Sequence, residues 1–361
     1  AGLGLSEFTG KHIDLFMKDL DLLRIKPADG YPRASEHVED MVAVAGKLVK
    51  KGYAYEKLRS LYFDISRFAE YGKLSGIDIN KIKVGATVDL DEYEKDNPRD
   101  FTLMKRAKLS ELKRGIYTAT DWGNVRPSWH IQCAAISMKY LGETFDIHTS
   151  SRELVFPHHE NEIAIAKALT GKPLAKFWMH CERVLIDGKK VDEISISDLV
   201  NMGYTGREIR FWLISNHYRK PVIFSAERLE DARKSLNRLD TCVRALCDVA
   251  EGEPCPELDQ LLYDIKSGFT GAMDDDLNIS AALSSIFRIV RQVNVLVVNK
   301  KIDADGASKV IEAFRYIDSV LNFFDFGNCL YDPEVKRLLE EREKAREDKN
   351  WALADSIREK L

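Results

Sequence analysis

Between Trp122 and about Leu213, short apolar runs alternate with stretches of helical period, and beyond KPVIF only helical periods remain. Strands that alternate with helices argue for a parallel α/β sheet, because each crossover helix covers a face of that sheet. HIQCAAISMKYLG and HHENEIAIAKALTG carry the helical period, whereas TFDIH and FWMHCERVLI read as strands. After Ser225, which suits a helix cap, Leu229, Ala232, Leu236, Leu239, Val243 and Leu246 make one continuous seam. Further seams run through Leu258, Leu262, Ile265 and Phe269, from Ala281 to Val298, and from Val310 to Leu321. Such a succession predicts an antiparallel helix bundle.

The amino-terminal part is helical as well. Phe8, His12, Phe16 and Leu20 recur every four residues until Pro27. Ser35 is placed to cap a second helix with Val38, Met41, Val42, Ala45, Leu48 and Val49 on one face. From Ser60 the runs shorten, and SLYFDI and DFTLMK read as strands. The expected organisation is an α/β domain over 1–219 with an inserted region at about 55–121, a bundle over 220–330 and a charged terminal helix over 331–361. A chain of 361 residues has room for that many units.

Composition narrows the classes. Lys plus Arg number 54 and Asp plus Glu 58, a net charge of −4, which excludes a globally basic nucleic-acid wrapper but not a local basic face. Hydrophobic residues at 45% and charged residues at 31% suit a folded globular chain rather than a disordered one. We find no apolar run of the ~18 residues that a membrane span needs, so no membrane partner is expected. The six cysteines are sparse and lack CxxC spacing, so disulfides are not expected and a cytoplasmic location is.

The densest set of reactive side chains lies between Trp129 and Glu162. His158 and Glu162 sit four apart in PHHENE and share one face of a helix, whose first turn suits Pro157. Cys133 lies on the preceding helix, four residues after Trp129. Cys, His and Glu supply the S, N and O donors that zinc accepts, and three ligands with an open position is the catalytic style of site. Spacing alone leaves two other readings open, a small core cysteine and a solvated helix start.

The wider pattern is more specific. WHIQC, LGETFDIH, FPHHENEIA, FWMH and HYR, in this order, resemble the cysteinyl-tRNA synthetases, a family of class I aminoacyl-tRNA synthetases. PRASEHVEDM, AMDDDLN and KAREDKNWALADSIR extend the resemblance over nearly the whole chain. It implies a Rossmann-like parallel sheet, incomplete in its N-terminal half, followed by an all-α bundle that docks on a tRNA stem. It further implies a ligase that activates cysteine with ATP and Mg²⁺ and transfers it to tRNA(Cys). By this resemblance Cys133, His158 and Glu162 match zinc ligands, while Trp129 and His148 match residues lining the cysteine pocket. The physical logic is that shape separates cysteine poorly from serine, whereas zinc favours a soft thiolate.

Departures from the family pattern also stand in the sequence. The family's fourth zinc-ligand cysteine and its HIGH signature have no counterpart, so the chain, which opens on Ala1, is expected to be trimmed or to depend on a second chain for the missing half-domain. Where the family carries its KMSKS loop, the sequence reads DGKKVDEISISDLV. Lys190 matches the first lysine and Lys189 stands beside it, so these two are the candidate ATP contacts; Glu193 takes the place of the second lysine and would repel phosphates. Thr149, Ser150 and Ser151 replace a glycine run, and Cys181 is one candidate substitute for the lost cysteine ligand. Two alternatives to the tRNA ligase follow. One is a cysteine-activating paralogue acting on a small amine; the other is a catalytically impaired paralogue or one chain of a split enzyme.

Overall fold

The structure is a computed structural model that describes residues 4–78, 95–186, 189–190 and 194–327, with 341–342, 344–346 and 350–358 near the C-terminus. The chain forms two compact units, one of Ala28–Arg183 and one of Ala1–Pro27 with Val184–Leu361. The junction between these compact units falls inside the FWMHCERVLI stretch. Glu182 and Arg183 interrupt that stretch, which the sequence pattern reads as one strand. The first helix, α1 (Leu5–Leu22), belongs to the second unit and buries none of its residues.

In the Ala28–Arg183 unit, α2 (Val38–Lys50) buries Met41, Ala45 and Leu48, the face its period predicts. Ser35 is not its cap: it lies in a tight turn over Ala34–Glu36, and His37 takes the cap position without a side-chain bond. β1 (Ala54–Lys57) and β2 (Ser60–Phe63) form a hairpin. β3 (Phe101–Arg106), the short helix α3 (Leu109–Lys113), β4 (Thr118–Thr120) and β5 (Gly123–Pro127) follow. These strands make one antiparallel sheet in the order β1-β2-β3-β5-β4. Leu61, Phe63, Leu103 and Met104 of this sheet share a core with Met41, Leu48, Ile131 and Ile165.

The site is carried by the next four elements. α4 (Trp129–Leu141) leads into β6 (Phe145–Ser151), and α5 (Glu160–Thr170) crosses over to β7 (Ala175–Cys181). β6 and β7 pair in parallel with His148 opposite Trp178 and Ser151 opposite Cys181. This β-α-β unit is the parallel element that the alternating pattern predicts. A kinked segment over Val155–His159, in which Phe156 is extended, leads into α5, and α4 and α5 pack side by side.

In the other unit, β8 (Val184–Ile186) pairs antiparallel with β9 (Lys189–Lys190) and parallel with β10 (Val222–Phe224). α6 (Ile196–Asn201) and α7 (Gly206–Ile214) begin with capping boxes at Ser195 and Thr205. Ser225 caps α8 (Ala226–Cys247) as expected, its hydroxyl oxygen accepting from the Arg228 N–H at 3.2 Å. With α9 (Leu258–Asp274), α10 (Ile279–Val298) and α11 (Ala304–Leu321), α8 builds a core around Leu239, Val243, Phe269, Ile286, Val290 and Phe314. α10 is long and apolar enough for a membrane span by length and composition alone, although Arg288 and Arg291 interrupt its apolar run. Ile279, Ala282, Leu283, Ile286, Ile289, Val290 and Val293 are nevertheless buried in the bundle core.

Cys247 is disulfide-bonded, against the expectation. Of the terminal helix expected over 331–361, the structure describes α12 (Trp351–Arg358) and a few residues before it. The whole is a mixed α/β fold with a helical C-terminal region.

Candidate functional site

α4 presents Cys133 one turn beyond Trp129, while the kinked segment before α5 and the first turn of α5 present His158 and Glu162. Packing of α4 on α5 gathers all three, and one donor atom from each lies within 4.8 Å of the others. His158 Nε2 stands 3.8 Å from Glu162 Oε1, beyond hydrogen-bond reach. Both oxygens of Glu162 are buried and accept no hydrogen bond. A buried carboxylate without donors is costly, and a bound cation is the direct remedy. The set of one sulfur, one nitrogen and one oxygen therefore fits zinc. Glu162 also joins a second group, with His148 and His159, and its Oε2 lies 3.3 Å from His148 Nε2.

The neighbours orient these rings. His130 Nδ1 and His158 Nδ1 share a hydrogen bond at 2.8 Å, which leaves His158 Nε2 facing Glu162. His180 Nε2 meets His159 Nδ1 at 3.0 Å in the same way. The Trp129 ring lies 4.5 Å from that of His158, centroid to centroid, and remains more than half exposed. His148 stacks on Trp178 at 4.3 Å. Cys133, His158, Glu162, Trp129 and His148 thus come together in one place. Sequence reasoning assigned no role to His130, His159, Trp178 or His180. Their strings, WHIQC, HHENE and FWMH, were in view, but only the β6–β7 register and the α4–α5 contact bring them to the site.

Burial sets the electrostatics. It pushes the Cys133 thiol up to about 12, helped by the Glu162 carboxylate and opposed by Trp129. Burial also pushes His159 down to about 3, with the imidazoles of His148, His180 and His158 adding to the effect. His158 is lowered by burial against the pull of Glu162. Neutral imidazoles keep a lone pair available for a metal.

Lys189 and Lys190 belong to the other unit, where their backbone pairs with Ile186 and Leu185. Glu193 lies outside the described residues. Thr149, Ser150 and Ser151 are strand residues of β6. Cys181 does not replace the lost ligand, because its thiol donates to the Ser150 carbonyl oxygen at 3.4 Å and it joins neither donor group.

Residues 2–234 match the model of the class I (C) tRNA synthetase catalytic domain, and residues 268–325 match the DALR domain. The chain is 40% identical to a cysteine–tRNA ligase of Methanosarcina mazei, covering 100% of this chain and 78% of that protein. A cysteine–tRNA ligase of Thermodesulfovibrio yellowstonii is 38% identical over 100% of this chain and 79% of its own length. One of Chlamydia pneumoniae is 36% identical over 99% and 77%. Among solved structures, one assigned as an arginyl-tRNA synthetase of Campylobacter jejuni superposes with a TM-score of 0.57 at 12% identity, covering 88% of this chain and 68% of that one. That likeness speaks to the fold alone.

Proposed function

Because the chain belongs to the cysteinyl-tRNA synthetase family, we propose that Cys133, His158 and Glu162 hold a zinc ion that selects cysteine by its sulfur. The enzyme is a ligase of the aminoacyl-tRNA synthetase type, with cysteine, ATP and tRNA as its substrates. The observation that carries the metal reading is the convergence of three zinc-type donors, one of them a buried carboxylate that has no hydrogen-bond partner.

When bound, the ion supplies a soft Lewis acid that favours a thiolate over the hydroxyl of serine. The protein's own groups do the rest. His130 fixes the His158 ring so that Nε2 is presented to the site. Trp129 walls the cysteine pocket beside His158, and His148, held flat on Trp178, closes the side of Glu162. The apolar faces of these rings exclude water and so strengthen each polar contact within.

Lys189 and Lys190, on β9, neutralise the phosphates of Mg²⁺-ATP during activation. The tRNA is tRNA(Cys), and the site of action is the cytoplasm, where translation occurs. Nothing among the relatives supports a second chain.

Metal analysis tests the reading. We expect about one zinc per chain in purified protein, and clear loss of zinc in Cys133→Ala and in His158→Ala variants that keep the wild-type circular dichroism spectrum. Wild-type protein that folds but retains no zinc after purification without chelator would refute it.

A further inference from the structure

Two buried carboxylates stand in the first turn of α5, and the fold treats them oppositely. Glu162 accepts no hydrogen bond, whereas Glu160, equally buried, accepts three. Its Oε2 takes the Gly72 N–H at 3.0 Å, and its Oε1 takes the Ser75 N–H at 2.7 Å and the Ser75 hydroxyl at 2.8 Å. Donors of this kind compensate the burial of a charge, so Glu160 calls for no cation. At about 100° per residue, Glu160 projects from the side of the turn away from Glu162.

The donors belong to one loop, YGKLSG over 71–76. The Gly76 N–H donates to the Gly72 carbonyl oxygen at 2.9 Å and closes it. Gly72 has a φ of +90°, and a Cβ there would stand 2.8 Å from the Ile77 carbonyl oxygen, so the position requires glycine. Tyr71 donates to Oδ1 of Asn161, and its ring meets that of Phe156 edge-on at 6.4 Å. The loop therefore holds residues 156, 160 and 161, on both sides of His158 along the chain. His158 needs that support. It lies in the kinked segment, where Phe156 is extended, so no regular helix precedes it to fix its position.

We propose that Glu160 is a positioning residue of the metal site. Clamped by Gly72 and Ser75, it holds the turn that sets His158 and Glu162 at ligand spacing. The proposal rests on the assignment of zinc to Cys133, His158 and Glu162. Glu160 joins neither donor group; it keeps two of the donors where one ion can take both.

Zinc affinity of the full chain, measured by competition with a coloured chelator, tests the proposal. Glu160→Gln keeps the shape of the side chain but cannot accept from all three donors. It should bind zinc about tenfold more weakly, the scale on which orienting groups act. Ser75→Ala, which keeps the N–H and removes the hydroxyl, should weaken zinc binding about threefold. Ser75→Thr, which keeps the hydroxyl, should bind as wild type does. Glu160→Gln combined with Ser75→Ala should bind no more weakly than Glu160→Gln alone, because both act through one clamp. With cobalt(II) in place of zinc, the visible absorption bands report ligand geometry, and they should shift in Glu160→Gln at saturating metal.

A merely structural role would lower the melting temperature of the metal-free variants and leave zinc affinity and the cobalt spectrum as in wild type. That result would overturn the proposal, and so would additive losses in the combined variant. If Glu160→Gln does not fold, the Ser75 variants decide: equal affinity in Ser75→Ala, Ser75→Thr and wild type would overturn it. Wild-type protein that takes up no zinc would overturn the metal assignment itself, and the clamp's role with it. Zinc bound by wild type and by every variant alike would overturn the positioning role alone.

Discussion

His158 and Glu162 face each other across one turn, Nε2 to Oε1 at 3.8 Å, while His148 Nε2 lies 3.3 Å from Oε2 and neither carboxylate oxygen accepts a hydrogen bond. Ligands of one small cation stand at about this separation, since zinc bonds nitrogen and oxygen at about 2 Å. Opposite effects of one substitution follow. In metal-free protein, Glu162→Gln should raise stability by about 1–3 kcal/mol, because it removes a buried carboxylate that no hydrogen bond satisfies. In zinc-loaded protein the same change should lower stability and weaken zinc binding at least tenfold, as loss of a ligand or its orienting partner does. Thermal unfolding with and without zinc reads both signs. A variant destabilised equally in the two states would show that Glu162 serves packing alone.

Asp276 is held down to about 2, chiefly by its hydrogen bond to Arg219 and then by that to Tyr218. Nε of Arg219 lies 2.6 Å from Oδ2, so HYR and AMDDDLN, far apart in sequence, meet within the bundle unit. A carboxylate lowered on folding adds stability above its unfolded value, near pH 4, and loses it as pH falls toward 2. Asp276→Asn should therefore melt below wild type at pH 6, and the gap should close between pH 4 and pH 2. The effect should be small, because the pair is exposed. A gap that stays constant over that range would contradict the assignment.

Leu58 and Arg59 both adopt positive φ, at 50° and 65°, in the two-residue turn that closes the β1–β2 hairpin. Such a turn favours Asn-Gly, and Leu58 is 55% exposed, so little packing compensates it. Leu58→Asn together with Arg59→Gly should stabilise the protein by about 1 kcal/mol in urea unfolding, with the slope m unchanged. No gain, or a loss, would mean that Leu58 contributes packing that its exposure does not reveal.

These same residues show what was legible beforehand. The α8 seam and the Ser225 cap could be read directly, because period and capping chemistry are local properties of the chain. β1 could not, since Leu58-Arg59 carries none of the usual turn residues. Ser35 misled because a hydroxyl ahead of a helical period suits a cap, while the chain inserts an extra turn before α2. At the site, the four-residue spacing put His158 and Glu162 on one face, but nothing local ties them to Cys133. That contact depends on the packing of α4 against α5. His159 and His180 meet through the parallel register of β6 and β7 and the crossover between them, which a linear pattern does not encode.

The central claim is that a metal held by Cys133, His158 and Glu162 lets the enzyme choose cysteine over serine. The direct measurement is kcat/KM for charging of tRNA(Cys) with each amino acid, before and after removal of zinc by a chelator and its restoration. The account predicts a preference for cysteine of at least about 10⁴-fold in zinc-loaded protein, a scale that shape alone does not reach for so small a difference. It also predicts that cysteine charging collapses on zinc removal and returns when zinc is restored. Undiminished selection of cysteine by protein shown to be free of metal would contradict it.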